Sequence, residues 1–353
     1  MNDKIIINAR FLTQQITGVQ RYAIEICLCL RRLLGNNVLL VAPHNILYSE
    51  YAQELNVMEI GRYTGHLWEQ ISLPRFLQKN GNPLLLCLCN TAPLFYKNKI
   101  VTVHDVAFEA YPQTFNKAFL YAYRFMIPRI MLTALKVITV SQFSKDEINK
   151  YYKVDKKKIE VVFSAVSGKF HVVEDKVLKK QKYFLVVSSL NYRKNFLSVL
   201  QAFDIFEKKC SDVSLYIIGD LSNSNFKNVD ISRYQNDHQI KFLGRVSDSD
   251  LVKYYSNALA FIFPSIYEGF GLPPLEAQTC GCPVVVSNIP PHHEVVADSG
   301  LYCNPHSSED IANAMYEIQD KAECLKIKGF ENIKRFSFES SAKQILKILS
   351  ECK

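Results

Sequence analysis

Residues 259–286 read LAFIFPSIYEGFGLPPLEAQTCGCPVVV, and the order of residue types spells strand, glycine loop, short helix, tight turn, strand. Leu259–Phe263 is an uninterrupted apolar run, as a strand buried on both faces requires. Pro264 ends it, and Gly269 and Gly271 flank Phe270 in the loop that follows. Pro273 and Pro274 suit the opening turn of a helix, where a missing N–H costs little. Gly281 can take the left-handed conformation that stops a helix, Pro283 forbids its continuation, and Val284–Val286 begins another buried strand. Two carboxylates stand out, Glu268 ahead of the glycines and Glu276, expected in the first helical turn. Free N–H groups at a helix start attract anionic and hydroxyl-rich ligands, and a carboxylate beside them accepts two hydrogen bonds from neighbouring sugar hydroxyls.

Glu268 and Glu276, with seven residues between them in PSIYEGFGLPPLEA and followed by CGCPVV, resemble the E-x7-E signature of family-four retaining glycosyltransferases of the GT-B fold. That resemblance implies two Rossmann-like doubly wound α/β domains with parallel sheets facing across a cleft. The divisions expected are 1–170 for an acceptor-side domain and 171–335 for a nucleotide-sugar donor domain. The terminal helix, 336–353, should return to the first domain.

The 353 residues suffice for two cores, and 48% hydrophobic with 22% charged residues is an ordinary globular balance. No apolar run approaches the roughly 20 residues that cross a bilayer. MNDKIIINARF enters a strand directly without a signal-type apolar region, so a cytoplasmic location is expected. Ten cysteines in such a chain read as buried, reduced thiols, and none has zinc-site spacing. The net charge of +8 favours anionic partners such as nucleotides and membrane phosphates, while no nucleic-acid-binding signature accompanies it.

In chain order, Lys4–Ala9 is a first strand, and Thr17-Gly18-Val19-Gln20 opens a helix to about Leu34 with Thr17 as its cap. TGVQRYA resembles the first glycine loop of these transferases, although one glycine stands where two are common; this marks Gly18 as a donor-binding candidate. Trp68 opens a helix that Pro74 interrupts. Ile100–Val103 is a strand ending at His104-Asp105, and residues at the carboxyl end of a parallel strand are where open α/β sheets bind ligands. VTVHDV also resembles the family's strand-end His-Asp pair, which implies that His104 lies near the transferred sugar and that Asp105 either supports the donor or caps locally. Phe115–Lys136 mixes aromatics with Lys117, Arg124, Arg129 and Lys136, and Pro128 should kink or divide it. It reads either as a core-packed helix pair or as a basic, aromatic surface for anionic lipid headgroups. Ser144–Glu147 has the form of a capping box for a helix to Tyr152.

Ser164–Lys182 is lysine-rich and suits an interdomain connection. After the strand Tyr183–Val187, Ser188–Asn195 (SSLNYRKN) resembles the family's Arg-Lys-Asn element, which implies that Arg193 and Lys194 hold the donor pyrophosphate. Asp248-Ser249-Asp250 spells the D-x-D of metal-dependent transferases, but Ser247 or Asp248 as an N-cap before Leu251, Val252 and Tyr255 accounts for it. Adjacent His292 and His293 lack an evident third metal ligand. Closing helices are expected from Ser308 to about Gln319 and from Ser340 to Leu349.

The resemblance implies a retaining, metal-independent hexosyltransferase without a cofactor, in which a nucleotide-diphosphate sugar is the co-substrate. His104, Arg193, Lys194 and Glu268 would be catalytic. Gly18, Asp105, Gly269, Phe270, Gly271, Leu272 and Glu276 would bind the donor, Glu276 through the ribose. The acceptor expected is a lipid-linked glycan of surface polysaccharide or lipopolysaccharide O-antigen synthesis, met at the inner face of the cell membrane. GDP-mannose leads UDP- and dTDP-sugars as donor. A nucleotide-sugar epimerase or hydrolase of the same fold is the alternative. A nicotinamide dehydrogenase is disfavoured because no G-x-G-x-x-G follows Ala9.

Overall fold

The computed structural model describes residues 4–187, 192–219 and 232–352. Ser188–Asn191 of the SSLNYRKN segment and Asp220 lie outside the described residues. The chain divides into two units, 1–165 with 337–353, and 166–336, a few residues from the expected boundaries.

The first unit is built on strands β1 (Ile5–Asn8), β2 (Val38–Ala42), β3 (Met58–Glu59), β4 (Leu85–Cys87), β5 (Lys99–Thr102), β6 (Lys136–Thr139) and β7 (Ile159–Val161). They form one sheet in the order β3-β2-β1-β4-β5-β6-β7, every pairing parallel. Its longer helices are α1 (Gly18–Leu34), α2 (Leu73–Lys79), α3 (Lys117–Thr133) and α4 (Gln142–Tyr152). Thr17 caps α1, and Gln20 reaches back to accept the Thr17 N–H at 3.1 Å. The π-turn Trp68–Ser72 leads into α2, so Pro74 sits in that helix's first turn, where its missing N–H is harmless. Pro128 does not divide α3, which runs through it as one helix. The α4 cap is Ser141, whose hydroxyl accepts from the Ser144 N–H at 2.9 Å, so Ser144–Glu147 is already helical rather than a capping box.

The second unit holds β8 (Tyr183–Val187), β9 (Ser214–Ile218), β10 (Ile240–Gly244), β11 (Ala260–Phe263), β12 (Val284–Ser287) and β13 (Leu301–Cys303). Their order is β10-β9-β8-β11-β12-β13, again all parallel. Helices α5 (Phe196–Phe206), α6 (Asp248–Asn257), α7 (Leu272–Thr279), α8 (Pro290–Val296) and α9 (Ser308–Ile333) complete it. Phe184, Phe196, Phe203 and Phe206 meet in its core, each worth about 1.5–3 kcal/mol in water-excluded apolar surface. Ser247 caps α6 by accepting the Asp250 N–H at 3.1 Å, which places Asp248 and Asp250 in an ordinary first turn. Gly281 has φ +76° at the end of α7, and a side chain there would press on Phe330. The α9 helix continues well past Gln319. Its second half is held by Asn332, which donates to Gln278 Oε1 at 2.8 Å and to the Val295 carbonyl at 3.0 Å. That anchor is tertiary and has no trace in local periodicity.

The last helix, α10 (Phe338–Glu351), belongs to the first unit. It packs on α1, with Phe338 meeting Tyr22 edge-on at 6.3 Å and Ser341 donating to the Phe163 carbonyl at 2.7 Å. All ten cysteines are free thiols, and most are buried, but Cys324 is exposed, against the expectation for all of them.

Candidate active site

In an all-parallel open sheet, ligands bind beyond the carboxyl ends of the strands where the strand order reverses. In the second unit that reversal lies between β8 and β11, since β9 and β10 run off one way and β12 and β13 the other. The two loops leaving this point carry Arg193-Lys194 and Glu268. They are stitched together by the Ile266 N–H donating to the Arg193 carbonyl at 2.8 Å. Asn195 takes a left-handed conformation at the start of α5 and donates to the Pro264 carbonyl at 3.1 Å and to the Pro305 carbonyl at 2.5 Å.

The outcome is an ion pair between residues far apart in sequence. Lys194 Nζ lies 2.6 Å from Glu268 Oε1, with side chains 22% and 13% exposed. The ammonium also sits 4.9 Å from the centre of the Phe263 ring. Burial pushes the Glu268 carboxyl up, but the Lys194 charge and hydrogen bond outweigh it and hold the group below the usual carboxylate range. Glu268 is therefore an ionised acceptor rather than a general acid.

Gly269 and Phe270 lead to Gly271, which has φ +112° as the residue before α7, and Leu272 opens the helix. A side chain at Gly271 would meet His292 Cδ2 at 3.2 Å. His292 is fully buried on α8, and its Nδ1 lies 3.0 Å from both the carbonyl and the hydroxyl of Ser287. Burial holds the imidazole neutral by lowering its pKa to about 4. His292 thus forms the floor beneath the glycine loop. Weighed only as a metal ligand, it escaped sequence reasoning, although its place just after β12, the neighbour of β11, was a usable signal. His293 instead stacks on Tyr302 at 4.3 Å. Glu276 is half-buried and lies in the second turn of α7, not the first, because the helix begins at Leu272.

The first unit holds the other candidates. Just beyond β5, His104 is almost fully buried, its N–H donating to Asn90 Oδ1 at 2.9 Å and its Nε2 2.9 Å from the Leu88 carbonyl. That carbonyl makes Nε2 the protonated nitrogen and leaves Nδ1 as an acceptor suited to a sugar hydroxyl. The Tyr22 ring fixes the imidazole edge-on at 4.9 Å, and burial lowers its pKa, keeping it neutral. Asp105 Oδ1 accepts the Ala107 N–H at 2.9 Å and so caps the turn that follows. Gly18 is exposed as the first residue of α1.

Residues 16–167 match the family described as Glycosyltransferase Family 4, and residues 170–327 that described as Glycosyl transferases group 1. The chain is 30% identical to the O-antigen chain mannosyltransferase RfbU of Salmonella typhimurium over 99% of its own length and 100% of that protein's. The chain is a member of this glycosyltransferase family. A second relative of this glycosyltransferase, the O-antigen chain mannosyltransferase B of Escherichia coli, is 29% identical over 72% of each chain. Among solved structures, the Anabaena protein Alr3699/HepE in complex with UDP and glucose superposes with TM-score 0.72 at 17% identity, covering 98% of this chain and 99% of that one. A sucrose-phosphate synthase from Thermosynechococcus elongatus gives 0.75 at 17% identity over 99% and 98%. The glycosyltransferase therefore has the GT-B fold, in agreement with its two parallel sheets of seven and six strands among the described residues.

Proposed function

We propose that this glycosyltransferase moves a mannosyl group from GDP-mannose to a hydroxyl of a lipid-linked glycan during O-antigen or related surface-polysaccharide synthesis. The observation that carries the chemistry is the Lys194–Glu268 pair at the strand-order reversal of the second unit. The sugar and the pathway rest on the two mannosyltransferase relatives. Glu268 and the amides of Gly269–Leu272 hold the sugar hydroxyls, Glu276 the ribose, and Arg193 and Lys194 the diphosphate. In the first unit we assign His104, through its acceptor nitrogen, to the transferred sugar, and Gly18 and Asp105 to donor binding.

The C1–O bond to the β-phosphate breaks while the acceptor oxygen bonds C1 on the same face. The acceptor proton passes to the departing phosphate oxygen, and GDP leaves with its charge held by Arg193 and Lys194. Preorganised cations of this kind are worth about 10²–10³ in rate, if losses of oxyanion-hole donors are a guide. The two cations take the charge-stabilising role without a metal or cofactor. A UDP-sugar is the second reading, motivated by the structural neighbour solved with UDP and glucose.

We place the enzyme in the cytoplasm against the inner face of the cell membrane. No helix of the described residues is long and apolar enough to cross a bilayer. The exposed stripe of α3 instead supports peripheral contact: Tyr121 is 73% exposed, Phe125 52% and Leu132 67%, with the Arg129 guanidinium 3.8 Å over the Phe125 ring. Aromatic, aliphatic and cationic groups on one helical face suit an anionic headgroup layer.

Calorimetric titration with GDP, UDP and dTDP tests the donor. GDP should bind most tightly, and Glu276→Ala should weaken it about 10- to 100-fold, since a charged hydrogen-bond acceptor for ribose is lost. Equal affinity in that variant sinks the ribose assignment, and preference for UDP or dTDP sinks GDP-mannose.

A further inference from the structure

The first unit has its own strand-order reversal, between β1 and β4, and a buried polar network stands there that donor chemistry does not use. Asn8 ends β1, Arg10 follows it, and Thr91 lies just beyond β4. Glu69 reaches them from the π-turn, a helical irregularity often found at functional sites. Its neighbours pin it in place: Trp68 Nε1 donates to the Ile60 carbonyl at 2.7 Å, and Gln70 Oε1 accepts the Leu94 N–H at 2.8 Å.

The Glu69 carboxylate is used unevenly. Oε1 accepts from Asn8 Nδ2 at 2.7 Å, Thr91 Oγ1 at 3.1 Å and Arg10 Nε at 3.3 Å. Arg10 Nη2 turns to Thr91 Oγ1 at 2.7 Å instead of closing a two-point grip on the carboxylate. Oε2, although buried, has no hydrogen-bond partner among the described residues, and His66 Nδ1 stands 3.4 Å from it. The His66 side chain beside it is half exposed, so this oxygen lies next to a residue that solvent reaches. Oε2 therefore has one distant partner, His66, where Oε1 collects three hydrogen bonds, and a buried carboxylate oxygen so weakly satisfied is costly unless a ligand completes it. Arg10 cancels the charge of Glu69, so the network offers lone pairs without a net positive field. That combination suits a neutral hydroxyl donor rather than a phosphate.

We infer that Glu69 Oε2 and the His66 imidazole form a carbohydrate subsite in the first unit, where paired hydroxyls of an uncharged sugar residue of the acceptor glycan are bound. His66 turns outward, one hydroxyl donates to Oε2, and its neighbour bonds the imidazole. Arg10, Asn8 and Thr91 are positioning residues that keep Oε1 fixed and Glu69 ionised. The assignment of the ligand as acceptor rests on the transferase reading above.

The test is an NMR titration of the full chain, in the presence of GDP, with the methyl α-glycosides of mannose, glucose, galactose and N-acetylglucosamine, and with mannose 1-phosphate. At least one neutral glycoside should bind wild type, and mannose 1-phosphate should bind no better than methyl α-mannoside. Glu69→Gln should weaken the glycoside about tenfold, as loss of a hydrogen bond to a charged group does, and leave GDP affinity unchanged. Unchanged glycoside affinity in Glu69→Gln, or a wild type that binds GDP but none of the glycosides, overturns the subsite. Tighter binding of mannose 1-phosphate overturns its neutral character. Should Glu69→Gln fail to fold, His66→Ala at a half-exposed position decides alone: about threefold weaker binding supports the subsite and unchanged binding overturns it. Failure of the donor reading is separate, since it shows as a wild type that binds none of the three nucleotides.

Discussion

Replacing Lys194 by Met removes the ammonium from Glu268 and keeps most of the stem beside Phe263. In wild type the charges are 2.6 Å apart with side chains 22% and 13% exposed. Removing one partner of a fully buried pair costs about 3–5 kcal/mol, and the remaining water access here reduces that to about 2–3 kcal/mol. For a unit of this size that corresponds to a fall of roughly 5–10 °C in the melting midpoint. The sign with pH follows from the depressed Glu268 carboxyl. A group held below its unfolded value, about 4.3 for Glu, contributes stability that is complete above that value and is lost as pH falls through the folded one. The difference in midpoint between wild type and Lys194→Met should therefore be full near pH 7 and shrink steadily below about pH 4. The same variant should lose about 10²–10³ in kcat for sugar transfer, because charge on the leaving diphosphate develops most in the transition state. Calorimetry across pH and single-turnover transfer with radiolabelled GDP-mannose measure the two effects. A midpoint difference independent of pH, or a kcat within about threefold of wild type, refutes the reasoning.

Gly271→Ala should cost about 2–4 kcal/mol in urea unfolding, since φ +112° is strained for a side chain and its Cβ would stand 3.2 Å from His292. Adding His292→Ala should return the steric share and leave the backbone share, and complete recovery would show that the conformation is not strained. On the α3 surface, Phe125→Ser with Arg129→Glu should reduce co-sedimentation with vesicles of phosphatidylglycerol at least tenfold, from lost apolar insertion and charge attraction, with GDP binding unchanged. Equal sedimentation would remove the membrane-contact proposal.

The apolar runs, the prolines and Gly281 declared the alternation of strands and helices because their constraints act within a few residues. Leu259–Phe263 reads as a strand buried on both faces, which forms over Ala260–Phe263, and Thr17 reads as a cap from its place before the helix. Misreadings arose where a local pattern met tertiary support. The helix expected to end near Gln319 extends to Ile333, because Asn332 is anchored to Gln278 and Val295.

Residues 259–286 named Glu268 and the glycines without showing what they face. Only the order of the strands decided that, because the reversal between β8 and β11 brings the loop holding Lys194 onto the loop holding Glu268. The neighbouring β12 lets His292 support Gly271 from below. The reversal between β1 and β4 likewise gathers Asn8, Arg10 and Thr91 around Glu69. Hydrophobic period and turn chemistry are properties of neighbours along the chain, and the sequence alone determined them. Which charges meet is a property of neighbours across a sheet, and only the tertiary structure decided it.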